Sequence, residues 1–552
     1  MHWPFYGCWK QSSICCEQTN EKDVLSRAMR RLLYAFASAC VFVGGVSAAD
    51  RYVSPTGNNA NAGTLVAPWA TIQYAASNAN AGDTVYVRGG TYSERVNVTK
   101  NGTASAPLII REYPGEVPII DQTGVTPANG GSALVTLTNR SHVIIQGLTL
   151  QNYRTADDNK TPIGILVSGS GSGVHLLGNT VRNIEQNNTV LGNFDANAHG
   201  ILVEGTGTTQ LTNIVIDGNH VYDLHLGASE ALVLNGNVTN FRVVNNIVHD
   251  CNNIGIDLIG YEGTGPSPAQ DRARNGLVAG NVVYNIDSSF NPAYDGNLTT
   301  GGGERSAAGI YVDGGSSIII EQNIVYACNY GVELASEDPT GTTDQITLRN
   351  NLIRHNQQAG LIMGGYNSGR GTTTQCLIAN NTLYKNDFIN PAEPSGQIAL
   401  QFYVTNCTFK NNILCPPAGR AEMVIHYPVG GASARELGTT NVFNHNLYYS
   451  TTGQPEFQAF HNGSRRTYST LAAWQGSGVS GGDVGSSMGN PLFQLADPHD
   501  RSSATAYALS PTSPAINTGE PNSTYQPGSG EEDLFEHSRI RGGRVDRGAA
   551  EF

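Results

Sequence analysis

Two short phrases of alternating apolar and polar positions recur along the chain. The first runs apolar, any, any, Asn, any, apolar, as LLGNTV, IDGNHV, VVNNIV, VAGNVV, IEQNIV, LRNNLI, IANNTL and FKNNIL. Its asparagines are Asn179, Asn219, Asn246, Asn281, Asn323, Asn351, Asn381 and Asn412, spaced 27 to 42 residues apart. Loops of different length therefore interrupt a constant unit. The second phrase lies between these: GILV from 164 and from 200, ALVL from 231, GIDL from 255, GIYV from 309, GVEL from 331 and GLIM from 360. Its second and fourth residues are aliphatic and face one way, while the third faces the other.

A unit of at least two short strands and a turn asparagine, repeated without helices, predicts one coil of a parallel β-helix. Stacked coils align like residues, so the asparagines are expected to form a hydrogen-bonded ladder. An antiparallel sandwich would need hairpin signals and would not keep that ladder. The fold class expected is all-β, a single-stranded right-handed parallel β-helix. TIQYAASNA predicts a helix capping the first coil, whose strand edge would otherwise be open. Residues 50–419 are assigned to the helix with its N-terminal cap, and 420–552 to the last coils and an irregular C-terminal cap.

Composition narrows the setting. The 552 residues include 65 glycines, only 14% are charged, and the net charge is −13. The acidic balance argues against a nucleic-acid partner, whose phosphates it would repel. MRRLLYAFASACVFVGGVSAAD, two arginines before an apolar run and small residues, reads as a secretory signal cleaved after Ala48 or Ala49. Residues 1–28 precede that pattern and are expected to derive from an upstream start codon. The mature protein is thus expected outside the cytoplasm, extracellular or periplasmic, as a monomer without a membrane span. Five cysteines remain after cleavage, Cys251, Cys328, Cys376, Cys407 and Cys415, without zinc spacing. Cys376 and Cys407 fall on consecutive coils, compatible with a disulfide or with two buried thiols.

Acids stand out on the outward column. The third residues of successive second phrases read Leu166, Leu202, Val233, Asp257, Tyr311, Glu333 and Ile362. Two positions on are Ser168, Glu204, Asn235, Ile259, Asp313, Ala335 and Gly364, and Glu337 follows the strand of Glu333. At about 4.8 Å per coil, Asp257 and Glu333 stand roughly 9 to 10 Å apart with Tyr311 between them. Like charges on neighbouring strands repel, so the concentration points to a site, the alternative being a solvated face. Asp257, Tyr311, Asp313 and Glu333 are the candidate catalytic residues; Asp257, Asp313, Glu333 and Glu337 are candidate metal ligands.

The longest insertions adjoin the same coils, and loops on a rigid face are where binding groups sit. They contribute Arg272 and Arg305 as further catalytic candidates, and Arg274, Arg370, Tyr261 and Tyr366 as substrate-binding ones. Arginines there bind carboxylates bidentately or neutralise the acids. Glu204, Glu230 and His225 complete the expected binding set. DPHD at 497–500 resembles an alginate-epimerase motif but falls in the presumed cap.

The opening YVSPTGNN…GTLVAPWATIQYA…AGDTVYVRGGTY is similar to secreted pectin-lyase-fold proteins that include the family-nine pectate lyases. That resemblance implies a polysaccharide substrate and calcium-assisted β-elimination, with Asp257 of GIDL similar to the family's calcium-binding strand. Tyr311 and Glu333 stand where that family carries its lysine base. The residues themselves leave open an inverting glycoside hydrolase using Asp257, Asp313 and Glu333, and a non-catalytic glycan-binding surface β-helix.

Overall fold

The computed structural model describes residues 48–389, 394–427, 437, 440–494, 504–528 and 530–552. The signal run, except Ala48 and Ala49, and the DPHD string lie outside the described residues. Each coil adds one strand to each of two 13-stranded sheets and one or two short strands to a 19-stranded third. Ladders between coils are parallel throughout; the exception is the hairpin Glu456–His461 with Ser464–Tyr468. The expected right-handed β-helix is the architecture found.

The asparagine ladder forms as the phrase predicts. Backbone N–H and Nδ2 of Asn246 both donate to Oδ1 of Asn281, at 2.9 and 3.0 Å. The second Nδ2 hydrogen goes to the Ile216 carbonyl at 2.9 Å. The same contacts run from Asn179 through Asn219, Asn281, Asn323, Asn351 and Asn381 to Asn412, and continue to Asn446. The amide satisfies a turn buried away from water, where an unmet polar group costs dearly. The preceding residue has positive φ in each coil, including Gly178, Gly218 and Gly280, which explains the Gly or Asn before the ladder.

The N-terminal helix α1 (Ile72–Asn78) is capped by Thr71 and buries Ile72, Ala75 and Ala76. The far end carries the irregular cap expected, with a hairpin and a short helix within it. It is closed by the hairpin and the helix α2 (Leu471–Gly476), whose buried Trp474 stacks on Phe457 at 5.1 Å. The tail beyond it returns along the flank of the coils. Asp533 accepts from Gln322, Glu531 pairs with Arg349 at 2.7 Å, and Glu520 pairs with Lys410 at 2.6 Å. Phe493, Tyr507 and Leu534 cover Leu352, Tyr384 and Ile413 in a second apolar cluster.

All five described cysteines are buried free thiols. Cys376 and Cys407 donate to the Thr374 and Thr405 carbonyls rather than forming a disulfide. Among the described residues no helix is long and apolar enough to cross a membrane.

Candidate active site

Five strands of one sheet carry the site: β1 (Leu232–Gly236), β2 (Ile256–Ile259), β3 (Ala308–Asp313), β4 (Tyr330–Ala335) and β5 (Leu361–Met363). Their inward residues, Ile256, Leu258, Ile310, Val312, Val332 and Leu334, fill the core. Period-two alternation then forces Asp257, Tyr311, Glu333 and Ile362 outward. The register pairs Val233 with Asp257, Asp257 with Tyr311, Tyr311 with Glu333 and Glu333 with Ile362.

This outward face is not solvated. Tyr311, Tyr330, Ala335, Ile362, Ala399, Ile425 and Tyr427 form an apolar layer on it. Asp257 is 2% exposed and Asp313 6%. Charge is disfavoured there, so burial, reinforced by Glu230 and Asp313, pushes Asp257 well above the usual carboxylate range. Burial and then Glu337 raise Asp313 as well. Burial, with Glu337 alongside, lifts Glu333 to about 8. Glu337 is raised by burial and pulled back by Arg370. Oδ1 of Asp257 is buried and meets no donor among the described residues, whereas Oδ1 of Asp313 accepts the Glu337 N–H at 2.8 Å.

A cavity of about 520 Å³ opens over these strands. Glu333 and Glu337 line it with Glu304, and Tyr311, Tyr330, Tyr366, Tyr427, Tyr294 and Phe194 supply aromatic walls. Among the described residues lining it there is no lysine, arginine or histidine. Asp257 and Asp313 are buried and are not among its lining. Tyr366 is 46% exposed, and the Arg370 guanidinium sits 4.3 Å from its ring centroid. Arg370 also donates to the Glu337 carbonyl at 2.9 Å, tying this wall to the strand end.

Several expected site residues stand elsewhere. Arg272 gives its guanidinium to the Gly314, Gly315 and Thr342 carbonyls and to Asp344, so it is a corner brace rather than a base. Tyr261 lies 5.2 Å from that guanidinium, outside the cavity lining. Arg274 is held by Asn237 Oδ1 and the Arg272 carbonyl. Arg305 turns from the cavity to Gln357, while its neighbours Glu304 and Ser306 face in. His225, at a second cavity, donates from Nδ1 to the Asn187 Oδ1 at 2.6 Å. Glu204 and Glu230 do not line the site; burial raises both, Glu230 to about 8 with Nδ1 of His199 3.6 Å away.

The four expected metal ligands come near enough to raise one another's proton affinity. Yet among the described residues no three His, Cys, Asp or Glu side chains are arranged to hold a metal ion. The oxygen donors suit calcium in kind, but they are not converged into its cage, and no step is derived through the ion.

The sequence pattern does not single out Phe194, Tyr330, Gln401 or Tyr427. The last two belong to coils whose strands Ile398–Leu400 and Glu422–His426 continue the outward column through Ala399 and Ile425. The insertion LGNFDANA before His199 was the available signal for Phe194.

Residues 51–211 match a family model described as "Pel9A-like, right handed beta helix region", and residues 305–454 match "Right handed beta helix region". The uncharacterized protein YwoF of Bacillus subtilis (strain 168) is 37% identical over 464 residues, 84% of this chain and 91% of YwoF. The chain belongs to the same right-handed β-helix family as YwoF, with a Pel9A-like region over residues 51–211. Pectate lyase PEL9 of Emericella nidulans is 50% identical over 93 residues, 16% of this chain and 23% of PEL9. Among solved structures, pectate lyase Pel9A superposes with a TM-score of 0.47 at 14% identity, covering 92% of this chain and 97% of Pel9A. The GH136 lacto-N-biosidase of Eubacterium ramulus gives 0.47 at 15% identity over 73% of this chain and 64% of that one.

Proposed function

We propose that this Pel9A-like protein is an exported polysaccharide-active enzyme whose cavity hydrolyses a glycosidic bond in an uncharged glycan. The observation that carries the reading is the pair Glu333 and Glu337 on an aromatic-walled floor without a basic side chain among its described lining. Glu333, held to about 8, keeps its proton at neutral pH and serves as the general acid to the leaving oxygen. Glu337, eased by Arg370, is the carboxylate that ionises first and activates water. Asp313 positions it by accepting its backbone N–H. A uronate would bring a further negative charge among Glu304, Glu333 and Glu337, which disfavours a polyuronide unless a cation is recruited.

Calcium-assisted elimination is the second reading. It is favoured by the partnerless buried Oδ1 of Asp257 and by the 93-residue match to a pectate lyase. The two are separated by incubating the protein with neutral polysaccharides and polygalacturonate, with calcium or EDTA. Reducing ends without unsaturated uronate, lost in Glu333→Gln and Glu337→Gln, support hydrolysis. Calcium-dependent ultraviolet absorbance on polygalacturonate overturns it in favour of the lyase.

A further inference from the structure

The insertion spanning 287–306 is a wall with a cavity on each side. Tyr294, Glu304 and Ser306 line the first cavity, whereas Asp287, Phe290 and Leu298 line a second of about 420 Å³. Arg305 crosses between them, donating to Oε1 of Gln357 on the second side at 2.8 Å.

The second cavity joins apolar rings to a fixed polar floor. Phe290 and Phe388, 40% and 45% exposed, both line it and, among the described residues, leave ring surface open to solvent at one cavity. On the floor, Nδ2 of Asn187 donates to Glu185, which orients the amide so that its Oδ1 faces Nδ1 of His225 at 2.6 Å. Nδ1 of His225 must then carry the hydrogen, leaving Nε2 as an acceptor. The acids are already committed. Asp287 takes hydrogen bonds from Asn329, Gln357 and Ser289, and Asp250 from Asn285 and the His249 ring. Neither is free for a cation, and both oppose an anion.

Rings for stacking beside oriented imidazole and carboxylate hydrogen-bonding groups fit the apolar face and hydroxyl rim of a sugar. We infer that this second cavity binds an uncharged oligosaccharide segment of the polysaccharide, beyond the wall of the catalytic cavity. The inference rests on the glycan-active reading of the first cavity, but its test measures binding rather than turnover.

Glu333→Gln protein, which leaves polymer intact, is run in native gels cast with glucomannan, arabinogalactan, xyloglucan or polygalacturonate. Retardation is expected in at least one neutral polymer. Phe290→Ala with Phe388→Ala should weaken it about tenfold, and Phe290→Tyr with Phe388→Tyr should restore it. Thermal melts of both double variants check folding. Three results overturn the inference: no retardation in any neutral gel, retardation by polygalacturonate alone, or retardation lost with Tyr366→Ala but unaffected by the phenylalanine pair. Failure to hydrolyse any neutral glycan, with retardation still dependent on the phenylalanines, removes the hydrolase assignment and leaves this site standing.

Discussion

Replacing Glu333 by glutamine should stabilise the protein while abolishing its turnover, and the stabilisation should grow with pH. The folded state raises this carboxyl from its ordinary 4.5 to about 8. Between those values the native protein holds a proton that the unfolded chain has released, so stability falls as pH rises through that window. A fully realised shift costs about 1.4 kcal/mol per pH unit, or nearly 3 kcal/mol between pH 5.5 and 7.5. Glu333 opens into the cavity, whose water screens part of the penalty, so about half is a better figure. Glutamine keeps the shape and never ionises. Its advantage over wild type should therefore widen by roughly 1.5 kcal/mol across that interval. Unfolding entropy of about 2 cal/mol/K per residue over some 500 ordered residues makes this a Tm difference of about 1 to 2 °C. Scanning calorimetry of both proteins at pH 5.5 and 7.5 reads it directly. A difference that is flat with pH, or a variant less stable at both values, would refute the raised proton affinity and with it the general-acid role.

Asn281→Ala removes the acceptor for two Asn246 hydrogens and the donor to Val243, and should lower stability by about 2 to 4 kcal/mol in urea titration. Arg272→Met should cost about 3 to 5 kcal/mol by removing the cation beside Asp344 and a donor from three carbonyls; the folded fraction should retain the wild-type kcat on oligosaccharide, which loss of a catalytic arginine would not allow. Tyr366→Ala should raise KM about tenfold with a smaller change in kcat, measured on a short oligosaccharide. Dialysis against EDTA should leave hydrolysis of a neutral polysaccharide unchanged, since the proposed acid–base mechanism of Glu333 and Glu337 uses no metal.

The ladder asparagines and the outward column were legible in the sequence because stacking repeats them in register. Asn179 through Asn412 pair as their phrase requires, and Leu166 to Ile362 align residue for residue. What the repeat cannot carry is the direction taken by side chains in its insertions. Arg272 and Arg305 flank the acids in sequence, but local carbonyls and Gln357 satisfy their donors better than an acidic cavity does. Whether Asp257 met water or protein depended on how the insertions folded over the sheet, a tertiary fact with no local signal. The tail was equally hidden, since its contacts join residues from 60 to 211 positions apart without any period.

The returning tail alters how such a molecule can come apart. A solenoid held only by nearest-neighbour contacts unzips from an end, one coil at a time. Here Asp533, Glu531, Glu520 and Arg547 fasten separate coils between Gln322 and Asn446 to one strip of chain. A coil in that stretch cannot peel away without lifting its neighbours' clasp as well, so local fraying becomes a concerted event. The stretch begins just after Asp313 and spans the coils of Glu333, Ile362 and Ala399. Proteolytic trimming from the C-terminal end must therefore sever the clasp before it can loosen the floor of the cavity.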